Sequence, residues 1–113
     1  MEDVTLIRHL KGAPLFRTFG LGPNFIHVNA IRQLQLLLDK NSFWAMSRSK
    51  KKLRKMIEKS SSIVTLWSKK NLIGFGRATS DGTYRATLWD IVVDKKYHNS
   101  GLGKVIVNAL LQS

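Results

Sequence analysis

The stretch Trp89-Asp90-Ile91-Val92-Val93-Asp94-Lys95-Lys96-Tyr97-His98-Asn99-Ser100-Gly101-Leu102-Gly103-Lys104 reads as the end of a strand, a polar turn and a glycine pair that opens a helix. Ile91, Val92 and Val93 are β-branched and unbroken by a polar residue, which favours extended chain with bulk on both faces. Asp94 to Ser100 is polar and ends that run. The first turn of a helix leaves its N–H groups without partners and carries partial positive charge. Gly101 and Gly103 put no side chain in front of those groups, and Lys104 adds a full charge. The combination suits a pyrophosphate. Tight turns use the same residues, so the pair alone does not decide the chemistry. Two phosphate motifs are excluded: the third glycine of the dinucleotide fingerprint is missing, and Gly-x-x-x-x-Gly-Lys-Ser/Thr occurs nowhere.

Working outward from this stretch, the strand extends back to Tyr84, with Arg85, Thr87, Trp89, Ile91 and Val93 on one face and Tyr84, Ala86, Leu88, Asp90 and Val92 on the other. Bulk on both faces predicts a central strand. Asp81-Gly82 suits the tight turn before it, and Leu72 to Thr79 is the preceding strand, where Gly74 and Gly76 permit close backbone approach. Lys69, Lys70 and Asn71 form a turn after a further strand at Ile63 to Trp67. Upstream, Leu53, Met56 and Ile57 fall at helical spacing in a basic segment that Ser47 or Ser49 can cap and that ends at Ser60 to Ser62. Before it, Ile31, Leu34, Leu37 and Leu38 mark a helix up to Asp39, followed by a loop with Phe43 and Trp44. Downstream, Gly101 to Gln112 places Leu102, Val105, Ile106, Ala109 and Leu110 along one helical side. Residues 1–24, broken by Gly12, Pro14, Gly20, Gly22 and Pro23, read as an irregular lead-in with at most a short strand near Leu15 to Phe19. The class is α+β: two helices, a three-stranded antiparallel meander and a closing helix.

At 113 residues the chain has room for one domain and one thin core. Zero cysteines excludes disulfides, thiolate metal centres and thiol nucleophiles, and fits a reducing compartment. His9, His27 and His98 show no ligand spacing, so no metal is expected. No window approaches the roughly 18 apolar residues of a membrane span, and Glu2 and Asp3 do not suit a leader, so a cytoplasmic location is expected. The net charge is +12, and half of it sits between Arg48 and Lys59, where Arg48, Lys50, Lys51, Lys52, Arg54, Lys55 and Lys59 face one acid, Glu58. Such a stripe is a solvated helix face, an attractor of a polyphosphate ligand, or a contact for RNA. The absence of aromatic residues within it argues against base stacking and disfavours nucleic acid.

The run from Leu72 to Leu111 resembles the acyl-CoA-binding core of the GNAT superfamily of N-acyltransferases. In that family Arg/Gln-x-x-Gly-x-Gly/Ala follows the fourth strand, and His98, Asn99, Ser100, Gly101, Leu102 and Gly103 stand at the matching positions, with His98 departing at the first. Leu72-Ile73-Gly74-Phe75-Gly76-Arg77-Ala78-Thr79-Ser80-Asp81-Gly82, followed by Leu88 to Val93, is similar to a cyanobacterial and plastid branch of the family. The resemblance covers residues 72–112 most strongly. It implies that backbone N–H groups of Asn99 to Lys104 hold the CoA pyrophosphate, with His98 a further phosphate contact. It also implies that backbone groups of Ile91, Val92 and Val93 pair with the pantetheine arm as an added strand would.

The implied reaction is acetyl transfer from acetyl-CoA to an amine, which needs a base and an oxyanion donor. Asp90 is the candidate base, and its competing reading is a carboxylate that orients a neighbour. A backbone N–H near Val92 or Val93 is the candidate oxyanion donor. Phe75 and Trp89 are read as acceptor-pocket walls or as core. The family continues beyond the helix that ends here with a further strand, a helix and a hairpin. The expectation is therefore a single partial GNAT-like domain over residues 1–113: an antiparallel sheet of three to four strands, helices on both faces, and the C-terminal strands missing. An open edge on the Tyr84 to Val93 strand would then admit a second copy. The competing functions are a CoA-binding remnant without catalysis and a small RNA- or ribosome-associated module. If plastid-encoded, the chain would work in the stroma.

Overall fold

The computed structural model describes residues 4–10, 30–41, 49–80 and 86–111. Its elements are β1 (Thr5–Leu10), α1 (Ala30–Asn41), α2 (Lys50–Lys59), β2 (Ser62–Ser68), β3 (Asn71–Ser80), β4 (Ala86–Val93), a 3-10 turn at Lys95–Tyr97, and α3 (Leu102–Leu111). The four strands form one antiparallel sheet in the order β1-β2-β3-β4. The expected meander is present as β2–β4. The Leu15 to Phe19 strand, the Phe43 and Trp44 loop, the Asp81-Gly82 turn and the Tyr84-Arg85 start of β4 lie outside the described residues.

Two readings of the sheet's membership and order are corrected. The lead-in segment is not wholly irregular: Thr5–Leu10 is a strand in register with β2, from Thr5 opposite Trp67 to Leu10 opposite Ser62. Its partner lies more than fifty residues away, and this short run with an arginine and a histidine carries no local signal to match that pairing. The second correction concerns β4, which is the outer strand of the described sheet rather than a central one. Its bulk on both faces is explained by helices above and below, not by strands on either side.

Those helices divide the core. On one face α1 sets Leu34, Leu37 and Leu38, and α2 sets Leu53, Met56 and Ile57, against Ile63, Trp67, Leu72, Phe75 and Val92. On the other, Ile106, Ala109 and Leu110 of α3 cover Val64, Leu66, Ile73 and Ala78. Val105, read as core-facing, is 41% exposed because it sits at the flank of the stripe. The α2 start is capped by Ser49, whose Oγ accepts from the Lys52 N–H at 3.2 Å. Ser60 stops that helix, donating its N–H to the Ile57 carbonyl and its Oγ hydroxyl to the Met56 carbonyl.

The β3–β4 ladder breaks between Phe75 and Arg77. Phe75 faces Val92 and Arg77 faces Trp89, so Asp90 and Ile91 together oppose Gly76. This is a β-bulge with Asp90 at φ +50, a backbone region Asp tolerates better than most residues. One extra residue reverses the alternation beyond it. Leu88, Ile91 and Val93 therefore pack on the α3 side, while Val92 packs on the α1–α2 side, which corrects the simple alternation that put Leu88 and Val92 together. Gly76 is required here. A Cβ on it would collide with Ile106 Cγ2 and lie 2.8 Å from Ile91 Cδ1, so the glycine lets α3 and the bulge close over β3.

Candidate functional site

The site begins where β4 ends. The Asp94 N–H donates to the Ile73 carbonyl at 2.8 Å, and the Asp94 carboxylate accepts from the Lys96 N–H at 3.1 Å, winding the chain into the 3-10 turn. The Tyr97 N–H closes that turn on the Asp94 carbonyl. Asn99 (φ +67) and Gly101 (φ +82) then reverse the chain into α3. The first α-helical bond runs from the Val105 N–H to the Gly101 carbonyl, so the N–H groups of Leu102, Gly103 and Lys104 precede the helical ladder. Apart from chain neighbours and the helix's own backbone, no atom of the described residues lies within 4 Å of where a Cβ would stand at Gly101 or Gly103. The two glycines have different reasons. Gly101 answers to its positive φ, but Gly103 is helical, uncrowded and under no such constraint. Among the described residues nothing crowds Gly103, so the position is open to close approach from outside.

The second part is the outer edge of β4. Because the Asp94 N–H points to β3, strand alternation turns the N–H and C=O of Val92 toward Phe75 and those of Ile91 and Val93 away from the sheet. The outward groups among Ile91, Val92 and Val93 are thus those of Ile91 and Val93. His98 reaches back to this edge: its Nε2 lies 2.9 Å from the Val93 carbonyl, and since a carbonyl only accepts, Nε2 carries the proton. The imidazole is exposed and ties the polar turn to the strand end. Ser100 makes a parallel tie through its Oγ to the Tyr97 carbonyl.

The third part lies across the sheet. Asp90 Oδ2 accepts from Arg77 Nε at 3.0 Å, with side chains only 6% and 16% exposed. Arg77 Nη1 also reaches Ser60 Oγ at 3.4 Å, which places the guanidinium on the α2 side. Arg77, Met56, Lys52, Lys55 and Lys59 line an open concavity of roughly 380 Å³. Sequence reasoning found Asp90 and the basic run but missed Arg77. The bulge that sets Arg77 beside Asp90 is a property of strand register, and neither residue announces it. Phe75 is fully buried among the α1–α2 side chains and is core.

One further polar group is buried away from this region. His9 is 1% exposed and its Nε2 lies 3.0 Å from Thr65 Oγ1, which also accepts from Trp67 Nε1 at 2.8 Å. Burial lowers its pKa to about 4, so it is neutral near pH 7. Among the described residues no three His, Cys, Asp or Glu side chains gather as metal ligands. No described helix is long and apolar enough to cross a membrane.

The sequence is 41% identical over 71 residues to an uncharacterized N-acetyltransferase, ycf52, of Pyropia yezoensis, a match over 59% of this chain and 41% of that protein. It is 32% identical to the ycf52 protein of Gracilaria tenuistipitata var. liui over 115 residues, 98% of this chain and 61% of the relative. The chain thus spans about two-fifths and three-fifths of the lengths of these relatives. The fold matches a probable acetyltransferase of Staphylococcus aureus with a TM-score of 0.69 at 22% identity, over 97% of this chain and 68% of that one. The sequence pattern of the acetyltransferase (GNAT) family matches residues 31–113, and with it the chain belongs to the GNAT family of acetyltransferases.

Proposed function

We propose that this chain binds acetyl-CoA along the β4 edge and the α3 turn and transfers the acetyl group to a primary amine. The observation that carries the reading is Gly103: a helical glycine with open space before it, beside N–H groups ahead of the helical ladder. These groups and Lys104 fit a pyrophosphate. Asn99, Ser100, Gly101 and Leu102 shape the turn, and His98 braces it against Val93 rather than pointing Nε2 at phosphate. The outward N–H and C=O of Ile91 and the outward N–H of Val93 suit the amide groups of a pantetheine arm, with the Val93 carbonyl taken by His98 and Val92 anchoring the strand to β3. Acetyl-CoA supplies an activated thioester. The amine nitrogen bonds to the acyl carbon as the carbon–sulfur bond breaks; the amine loses a proton and the thiolate gains one, giving an amide and free CoA.

Asp90, at the bulge next to Ile91, is assigned the amine proton, taken directly or through water. Arg77 fixes one carboxylate oxygen and so orients the group. The outward N–H of Val93 or Ile91 is the oxyanion donor. The relatives' names include chloroplastic enzymes, and the proposed place of work is the cytoplasm, or the stroma where the gene is plastid-borne. Pairing of two β4 edges is the proposed route to a dimer, and it would compete with the pantetheine arm for the same outward groups.

Calorimetry with CoA and mass-spectrometric detection of acetylated amines test the reading. Saturable CoA binding is expected, lost in Gly103→Glu and kept in Asp90→Asn, which instead lowers kcat by about 10²-fold or more. Failure to bind CoA at millimolar concentration refutes it. Binding with no transfer to any amine would assign residues 1–113 the role of a CoA-binding remnant. Tight, steeply salt-dependent RNA binding without CoA binding would favour the RNA- or ribosome-associated reading instead.

A further inference from the structure

We infer that the concavity between α2 and β3 is the acceptor subsite, and that it takes the oxyanion of an amine that carries a carboxylate or phosphate. The inference rests on the amine-acylation reading and adds the class of acceptor. Lys52, Lys55 and Lys59 recur at intervals of three and four, so one face of α2 brings all three side chains to the wall of the same hollow. Met56 supplies an apolar wall and Arg77 the far side. Among the described residues no carboxylate lies within ion-pair distance of these three lysines. Glu58, the acid of α2, is not among the lining residues, and Asp90 is held by Arg77.

The hollow is not a second view of the pyrophosphate turn. α3 and its glycines cover one face of the sheet, whereas Met56 and the Arg77 guanidinium lie on the α2 face. Among the described residues the two regions meet at the β4 bulge, where Arg77 holds Asp90 immediately before Ile91. A carrier laid along the outer edge at Ile91 and Val93 would therefore leave the α2 side to the second substrate. A small anion also suits the shape better than a polymer. The lysines that line the hollow converge on a concave space, while Lys51 and Arg54, which a flat phosphate backbone would need as well, are not among its lining residues.

The test uses the full chain and two matched probe pairs: O-phosphoethanolamine against ethanolamine, and β-alanine against ethylamine. Binding is followed without acetyl-CoA by amide chemical shifts, and transfer with acetyl-CoA by initial rates. Either anionic member is expected to bind about tenfold more tightly than its neutral partner, with shifts confined to α2 and Arg77, and to show the lower KM. The phosphate and carboxylate arms tell which oxyanion is preferred. Lys55→Gln combined with Lys59→Gln, both exposed positions, should abolish the preference while leaving CoA affinity unchanged, whereas Lys55→Arg should retain it. Equal binding of anionic and neutral amines, or a preference untouched by the lysine variants, overturns the inference. So does capture of RNA by α2 with no small-anion binding. Selective oxyanion binding with no transfer to any amine keeps the anion site and defeats amine acylation, so the two failures are distinct.

Discussion

Gly101 and Gly103 look alike in sequence and do different work. Replacing Gly101 forces an L side chain to φ +82, and Gly101→Ala is expected to destabilise the fold by about 1 kcal/mol. Gly103→Ala, helical and uncrowded, should leave stability equal or raised by up to roughly 0.5 kcal/mol while weakening CoA several-fold. Opposite signs in urea denaturation with the same sign in calorimetry would separate a conformational glycine from a ligand-facing one. His9 makes a second residue-scale prediction. Its pKa of about 4 in the folded chain lies below the unfolded value near 6.5, so the unfolded chain binds the extra proton first. The stability it supports is complete above pH 6.5 and declines toward pH 4, by roughly 3 kcal/mol in all. His9→Gln should flatten that part of the pH–stability curve. A native curve with no fall between pH 6.5 and 4 would contradict the burial argument. Neither the conformation of Gly101 nor the burial of His9 was legible in the letters: the glycine pair flagged a turn without assigning roles, and His9 is buried only because β1 pairs with β2.

At the scale of elements, the close contact between β3 and α3 decides where the turn of residues 98–104 sits. Gly76→Ala would push a methyl into Ile106 and Ile91 and should cost about 1–3 kcal/mol, with α3 displaced and CoA affinity reduced together. The linked loss separates it from Gly103→Ala, which loses affinity alone. Urea titration and CoA calorimetry on the same variant check this. On the other face, Ser49→Ala removes the cap of α2 and is expected to cost about 1 kcal/mol, fraying the helix from Lys50 onward. A thermal melt would register the loss. The α1 and α2 helices were readable because Leu34, Leu37 and Leu38, and Leu53, Met56 and Ile57, repeat at the spacing that buries one side of a helix. The bulge at Asp90 was not readable, since its cause is the pairing of β4 with β3.

For the whole molecule, the proposed CoA binding makes stability depend on ligand concentration. If CoA binds only the folded chain, a concentration one hundred times its Kd should add about 2.7 kcal/mol to stability and raise Tm accordingly; an unmoved Tm at saturating CoA would deny that link. Local sequence was enough for the α+β class, six of the seven helices and strands, and the glycine turn, because periodicity, capping and turn chemistry act over a few residues. Tertiary structure alone decided the rest: β1 joining β2 across more than fifty residues, the bulge that sends Leu88 and Val92 to opposite faces, and the meeting of Arg77 with Asp90. Each depends on which strand lies beside which and in what register. A chain's neighbours along the sequence do not encode that alignment, because it is set by the two-sided core into which all the elements must pack at once.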